Sequence, residues 1–491
     1  MSRQPEEHIN FREIFAGHGK LPALVSRERT VSYQDYYRLA ACISAILVSH
    51  GFKKGERAGI LSDNSPEYVI ILMALWKAGV VAVPLNTRWT PAAIGKSLTD
   101  IVCEKILLSP AFYDVSGFNP LSKFLIQDFV NQADSKSKAE KDEEDFTDLM
   151  QDVTIVFTSG SSGTPKGALH SLANHYYNAL GSNQNIPFAP DDRWLLSLPL
   201  FHVGGLAILF RALLGGGAVA IPDPALELAE NLRELEATHV SLVPTQFYWL
   251  LQSGAAIDTM RRMKAILLGG SAIPDSLLRQ AAELELQVFT SYGSSEMSSQ
   301  ITTTHAGDGL AQWRSSGRLL PFRELKIAAD SEILVKGKTL FKGYVSQDAG
   351  ESILDAAGWF HSGDLGFWDE NGYLHVLGRK DNMFISGGEN IQPEEIEQLL
   401  LLSEGVSQAV VVPVSDREYG QRPVAFLELQ KGGQPDADLF RKYLLEKLPR
   451  YKMPDHFFPW PEEAGNTMKI QRAQFSELAE RLLHDLPSIK K

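Results

Sequence analysis

Residues Thr154 to Gly167, TIVFTSGSSGTPKG, join an apolar strand, a Gly/Ser/Thr loop and a lysine. Such a loop offers backbone amides, hydroxyls and one point charge, the donors that wrap phosphate oxygens. A Walker A loop would place glycine just before the lysine and a hydroxyl just after it. Pro165 and Gly167 hold those two places instead, and proline has no N–H to offer a phosphate. Phosphate contact therefore falls to Thr158, Ser159, Gly160, Ser161, Ser162, Gly163, Thr164 and Lys166. A flexible surface turn is the competing reading, and the apolar strand directly ahead of the loop weighs against it.

The elements that must position this loop read as alternating strands and helices. Strand candidates are RAGILS at 57, VVAVPL at 80, VTIVFTS at 153, WLLSLPL at 194, HVSLVP at 239, AILLGG at 265 and QVFTSYG at 287. Helix patterns run over Pro66–Ala78, Ala225–Ala237 and Ile273–Leu284. Alternation of this kind predicts parallel α/β sheets covered on both faces. Ligands of such sheets collect at the carboxyl ends of strands, where TSGSSG, GGS and SYGSSE all lie. Asn131–Asp145 reads as a charged surface connector, and no internal repeat is evident. After Asp364 the texture changes. LGFWDENGYLHVLGR predicts a hairpin turning at Asn371-Gly372, and Pro393 with Glu394 and Glu395 opens a helix. Two strands, SQAVVVPV and VAFLELQ, and a helix over Asp438–Leu448 follow. These make a small α+β domain, placing a large domain at 1–380 and a small one at 381–491.

Bulk composition narrows the function. The chain has 491 residues, 44% hydrophobic and 22% charged, enough for more than one domain. Its 60 acids against 47 bases give a net charge of −13, which argues against nucleic acid as the main partner. Cys42 and Cys103 lie among apolar residues and read as core thiols of a reducing compartment. The start, MSRQPEEHINF, has no apolar core of a signal peptide, and Lys77 and Arg211 interrupt the most apolar stretches. The expectation is a soluble cytoplasmic protein without a membrane span.

Five ordered motifs carry a resemblance. TSGSSGTPKG is followed by Tyr292-Gly293-Ser294-Ser295-Glu296 (Y-G-x-T-E), then by Phe360-His361-Ser362-Gly363-Asp364 (Y-x-T-G-D). Gly378-Arg379-Lys380-Asp381 with Ile385-Ser386-Gly387-Gly388-Glu389 comes next, and then Leu448-Pro449-Arg450-Tyr451-Lys452-Met453-Pro454. Together they resemble the adenylate-forming superfamily over nearly the whole chain. The resemblance implies a large N-terminal domain of layered α/β sheets, an associated small β-barrel-like subdomain, and a small mobile α+β C-terminal domain. It also implies an enzyme that joins a carboxylate to AMP, releases pyrophosphate and passes the acyl group to a thiol, using ATP, Mg²⁺ and CoA. On this reading Glu296 binds the metal. Gly269, Gly270, Ser271, Ser291, Tyr292 and Gly293 frame the adenine beside Ser295, and Asp364 with Arg379 takes the ribose. Asp381 is the hinge, and Gly387 and Gly388 face the CoA tunnel. Lys469 is the catalytic lysine, although Met468 stands where the family writes glycine. Enzymes of this kind are often oligomers, so a homo-oligomer is expected.

The acid is read from a second set of residues. Phe201-His202-Val203-Gly204-Gly205, Thr238 to Gln246 (including Thr245) and Gly293 to Thr303 resemble the o-succinylbenzoate–CoA ligases of menaquinone biosynthesis. The resemblance places His202 over the acyl pocket. Such a substrate keeps a second carboxylate, which in a half-apolar pocket needs a cation or several donors. Arg211, within LAILFRALL, is the candidate cation, with Ser298, Ser299, Gln300 and Thr302 as donors. The bland alternatives are a partly buried histidine and an arginine snorkelling from a helix edge. Another aryl- or medium-chain acyl-CoA ligase remains open, as does a nucleotide-binding protein without catalysis. Glu296 and Lys469, the residues such a protein would lose, are both present.

Overall fold

The computed structural model describes residues 8–115, 118, 121–135, 146–158, 165–345, 353–429, 432–461 and 472–485. Two large sheets dominate them. The first runs Gly343–Val345, Lys166–Ser171, Asp152–Thr158, Val81–Pro84, Arg57–Leu61, Lys105–Leu108, Ser122–Leu125. The second runs Arg318–Leu319, Ser299–Thr303, Val288–Ser294, Ala265–Leu268, His239–Leu242, Arg193–Leu195, Ala218–Ala220, Pro22–Val25, Thr30–Ser32. The interior pairs of each are parallel, and each carries antiparallel strands at the edge that begins its order.

Burial on both faces explains why the central strands are continuously apolar. Helices fill the space between the sheets. Ser65 caps the helix Pro66–Lys77 by accepting from the Tyr68 amide at 3.1 Å, with Pro66 in its first turn. Every residue from Tyr68 to Trp76 is buried, as an all-round apolar helix requires. Trp76 donates its indole N–H to the Val153 carbonyl at 3.0 Å and lies 5.0 Å from the Phe210 ring, joining strand, helix and the neighbouring helix Val203–Gly215.

Two local readings need correction. Asn131–Asp134 is not connector but the last turn of the helix Ile126–Asp134. Ile126, Phe129, Val130 and Ala133 fall on one helical face and are buried, which outweighs the polar residues between them; residues 136–145 lie outside the described residues. The WLLSLPL strand shortens to Arg193–Leu195.

A four-stranded antiparallel sheet, Arg323–Ile327, Glu332–Gly337, Phe360–Trp368 and Leu374–Arg379, stands where the barrel-like subdomain is expected. It is stitched to the second large sheet at Gly317, whose carbonyl accepts from the Leu374 amide at 2.8 Å. The C-terminal part has the hairpin Phe384–Ser386/Glu389–Ile391 and a sheet of Val406–Asp416, Gly420–Leu429 and His456–Pro459, with helices Pro393–Leu401, Ala437–Leu445 and Arg472–Asp485. The apolar clusters divide cleanly. The buried members of the large domain's clusters reach no further than Leu374, and those of the small one begin at Phe384. Among the described residues no helix is long and apolar enough to cross a membrane.

Gly317 has φ +83°, and a Cβ there would run into the Thr303–Thr304 peptide. Gly317→Ala is expected to cost about 3 kcal/mol or more, read as a lower denaturation midpoint of the large domain. A midpoint equal to wild type would show that the stitch is not needed.

Candidate active site

The stretch expected to hold phosphate joins two paired strands of the first sheet. Thr158 stands opposite Lys166, with its hydroxyl 3.4 Å from the Lys166 carbonyl. Ser159, Gly160, Ser161, Ser162, Gly163 and Thr164 lie outside the described residues. The strand Gly343–Val345 adds to the same edge and sets Tyr344 opposite Ala168. The Tyr344 hydroxyl donates to Glu296 Oε1 at 2.6 Å, and Lys166 Nζ sits 5.5 Å from the Tyr344 ring centre. A carboxylate and an ammonium from distant stretches thus share one tyrosine at the mouth of the loop. The Glu296 backbone is pinned as well, since its carbonyl accepts from the Phe341 amide at 2.7 Å. Next to it the Ser295 carbonyl accepts from His170 Nε2 at 2.7 Å. Burial pushes the His170 pKa below the usual imidazole range, so the ring serves as a neutral donor.

A second cluster forms around Asp364. Tyr292 donates to Oδ2 at 2.6 Å and Arg379 to Oδ1 at 3.2 Å. The other arm of Arg379 reaches Asp381 Oδ2 at 2.8 Å. Gly363 has φ +70°, which favours glycine, and a Cβ there would lie 2.9 Å from the Arg379 guanidinium. Burial raises the Asp364 pKa despite the opposing pull of Tyr292 and Arg379. Ser291 faces the Gly269 turn, its hydroxyl 3.4 Å from the Leu268 carbonyl, with Gly270 and Ser271 exposed beyond it. Gly293 lies where the backbone of its antiparallel partner passes too close for a side chain.

The third cluster surrounds Arg211, which is 1% exposed and does not snorkel. It donates to Gln300 Oε1 at 2.5 Å and lies over the Trp194 ring at 4.8 Å. Ser182 donates to the same Gln300 oxygen at 2.8 Å, and Gln300 passes its own amide N–H to Thr303 at 2.6 Å. Among the described residues no carboxylate pairs with Arg211, and its Nε has no hydrogen-bond partner. Burial pulls its pKa down to about 9, which leaves it charged at neutral pH. Nearby His239 is pushed down to about 4 by burial and is neutral there.

The remaining expected residues are placed apart from this cluster. Thr302 is buried and its hydroxyl donates to the Ser316 carbonyl at 2.6 Å. Ser298 donates to the Thr339 carbonyl at 3.1 Å. Thr245 is half-buried in the first turn of the helix Pro244–Ser253. His202 is exposed at the start of the helix that carries Arg211, nine residues and about 13 Å of helical rise away. Gly387 and Gly388 make the exposed turn of the small domain's hairpin. Lys469 lies outside the described residues. Three positions on, Arg472 is anchored to Glu397 at 2.7 Å and Glu394 at 3.2 Å. A cleft of about 660 Å³ beside Asp148, Tyr177 and Lys338 includes none of these site residues, so cleft size does not locate the chemistry.

Residues 11–345 match the AMP-binding enzyme family, and residues 395–463 match the AMP-binding enzyme C-terminal domain. The chain belongs to the AMP-binding enzyme family. The 2-succinylbenzoate–CoA ligase of Bacillus subtilis (strain 168) is 32% identical over 93% of this chain and 94% of its own length. Two solved structures of the o-succinylbenzoate CoA synthetase from Bacillus subtilis are similar at 30% identity each. The complex with its acyl-adenylate intermediate has a TM-score of 0.84, covering 97% of this chain and 98% of that one. A double mutant bound with a product analogue has 0.70, covering 96% and 99%. This AMP-binding enzyme is a ligase with the layered two-domain α/β fold that its motifs implied.

Several residues of the site escaped the sequence reading. Tyr344, His170 and Ser182 each touch a motif residue more than 40 positions away. Strand pairing brings Tyr344 and His170 there, and packing of the helix Leu172–Asn185 on the strand Ser299–Thr303 brings Ser182.

A buried cation held by one neutral amide costs stability. Arg211→Met is therefore expected to keep or raise the thermal midpoint by a few degrees, about 1 kcal/mol or more in its favour. A large fall in midpoint would make Arg211 a structural residue.

Proposed function

We propose that this AMP-binding enzyme converts 2-succinylbenzoate, ATP and CoA to 2-succinylbenzoyl-CoA, AMP and pyrophosphate through an acyl-adenylate. The observation that carries the substrate is the buried guanidinium of Arg211, charged and without a carboxylate of its own among the described residues. An acid with a second, unreacted carboxylate would supply that partner. The names of the similar ligases point to the same acid.

The chemistry asks an anionic carboxylate to attack a polyanionic triphosphate, so positioning and charge neutralisation carry it. Lys166 and the loop ahead of it would hold the outer phosphates. Glu296 suits Mg²⁺: it is a hard oxygen ligand set beside the phosphate loop, and no group of three His, Cys, Asp or Glu among the described residues forms a protein-only metal cage. One carboxylate plus phosphate oxygens and waters is the usual Mg²⁺ shell. When bound, the ion would neutralise phosphate charge. Asp364 would accept from the ribose hydroxyls, with Arg379 and Tyr292 keeping it oriented, and the Gly269 turn with Ser291 would flank the adenine. Lys469 would stabilise charge at the reacting carboxylate and α-phosphate. The small domain would then rotate about Asp381 to bring Gly387 and Gly388 to the CoA side. The higher similarity to the acyl-adenylate complex than to the product-analogue complex, at equal identity, favours the adenylate-forming arrangement for the conformation described.

Acid-dependent pyrophosphate release with ATP, Mg²⁺ and CoA tests the reading. 2-Succinylbenzoate is expected to exceed benzoate and octanoate at least tenfold in kcat/KM, and Arg211→Met to lose about 100-fold on 2-succinylbenzoate alone. Preference for benzoate or octanoate, or an equal loss on all three acids, would overturn the substrate. Lys469→Ala is expected to abolish adenylation yet still form thioester from supplied acyl-adenylate. Equal loss of both steps would rule out alternation.

A further inference from the structure

We propose that Glu332 is a positioning residue that keeps the ribose-side turn and the domain hinge in register, with Lys380 as its releasable arm. The inference rests on the two-step reading above and adds residues which that reading does not use.

Glu332 begins a strand of the four-stranded sheet and its side chain is 7% exposed. Three donors from two segments converge on it. Oε1 accepts from the Gly363 amide at 3.1 Å, the residue immediately before Asp364. Oε2 accepts from His361 Nδ1 at 3.2 Å and from Lys380 Nζ at 3.1 Å. Lys380 stands directly before the hinge acid Asp381 and also reaches Asp330 at 2.7 Å. One buried carboxylate thus touches both the peptide that orients Asp364 and the residue next to the hinge. Arg379 makes a parallel link, from Asp364 to Asp381.

The two sides of Glu332 differ in permanence. Gly363 and His361 belong to the strand Phe360–Trp368, whose first half pairs with the strand Glu332 begins. Those contacts stay with the large domain. Lys380 is 44% exposed and sits at the boundary between the two apolar cores. It can swing into water while Glu332 keeps two donors, so the buried charge is not orphaned. Burial alone would raise the Glu332 pKa, yet the bonds from His361, Lys380 and the Gly363 amide outweigh it and hold the carboxyl below its usual range. The pair is then a bias on the hinge and not a lock. It favours the arrangement described, in which adenylate forms.

The test uses the full chain and separates the half-reactions. Adenylation is read as acid-dependent ATP–pyrophosphate exchange, and thioester formation as CoA consumption from supplied acyl-adenylate. Lys380→Met is expected to slow adenylation about fivefold, as a partly exposed ion pair allows. Thioester formation should stay equal or become faster, and ATP affinity should remain within about twofold by calorimetry. Lys380→Arg should restore the wild-type ratio. Glu332→Gln is expected to slow adenylation and also weaken AMP binding about tenfold, because the Gly363 turn loses a charged acceptor. A Lys380→Met enzyme that loses both half-reactions equally, or neither, would overturn the proposal. A wild-type protein that exchanges no pyrophosphate with any acid would overturn the ligase reading instead.

Discussion

A guanidinium between two carboxylates sets the frame for the rest of the molecule. Arg379 closes the last strand of the four-stranded sheet and extends one arm to Asp364 and the other to Asp381. A lysine could serve either acid, but its point charge lacks the planar fork that serves both at once. The geometry then constrains its neighbours. Gly363 is small so that the arginine can pass, and Tyr292 takes the second oxygen of Asp364. The Gln392 side chain, on the small-domain side, donates to the Arg379 carbonyl at 2.9 Å. The Asp364 cluster of the large domain and the start of the small domain are therefore referred to the same residue.

Buried charge elsewhere follows a consistent rule, and the exception is informative. Glu397 is matched by Arg472, which also donates to the Val411 carbonyl. Arg323 is 5% exposed and has no carboxylate partner among the described residues, but it donates to the carbonyls of Gln300, Pro321 and Asn178. Each of these groups is spent within the fold. Arg211 lies close to Arg323, is more deeply buried, and is given one amide oxygen and the face of Trp194. Structural economy accounts for Arg323 and not for Arg211. That contrast is why the proposed substrate carries a second negative charge.

What could be read from the sequence was what is contiguous in it. TSGSSGTPKG, YGSSE and FHSGD announce themselves because backbone turn and side-chain chemistry sit in the same few residues. The strands ending in those loops were legible for the same reason, as was the Asn371-Gly372 hairpin. Tyr344 was not, since its meeting with Glu296 depends on the short strand Gly343–Val345 adding to the edge beside Lys166. The end of the helix Ile126–Asp134 was obscured by the acidic tract behind it. Arg211 follows His202 by nine positions, and the helix between them sets the two apart by more than two turns. The likeness between the two large sheets, each parallel within and antiparallel where its strand order begins, was also hidden. Backbone architecture can repeat where side chains have diverged, because many apolar residues satisfy the same strand.

The division of the apolar clusters between Leu374 and Phe384 has a further consequence. Substitutions that reshape the large domain around Arg211 need no matching change in the small domain's interior, because no apolar cluster among the described residues spans the gap. Acid choice and the pace of the catalytic cycle can therefore drift separately in evolution. A lineage could acquire a new substrate while inheriting its timing unchanged, with residues at the joint, Arg379, Lys380 and Asp381 among them, obliged to answer to both.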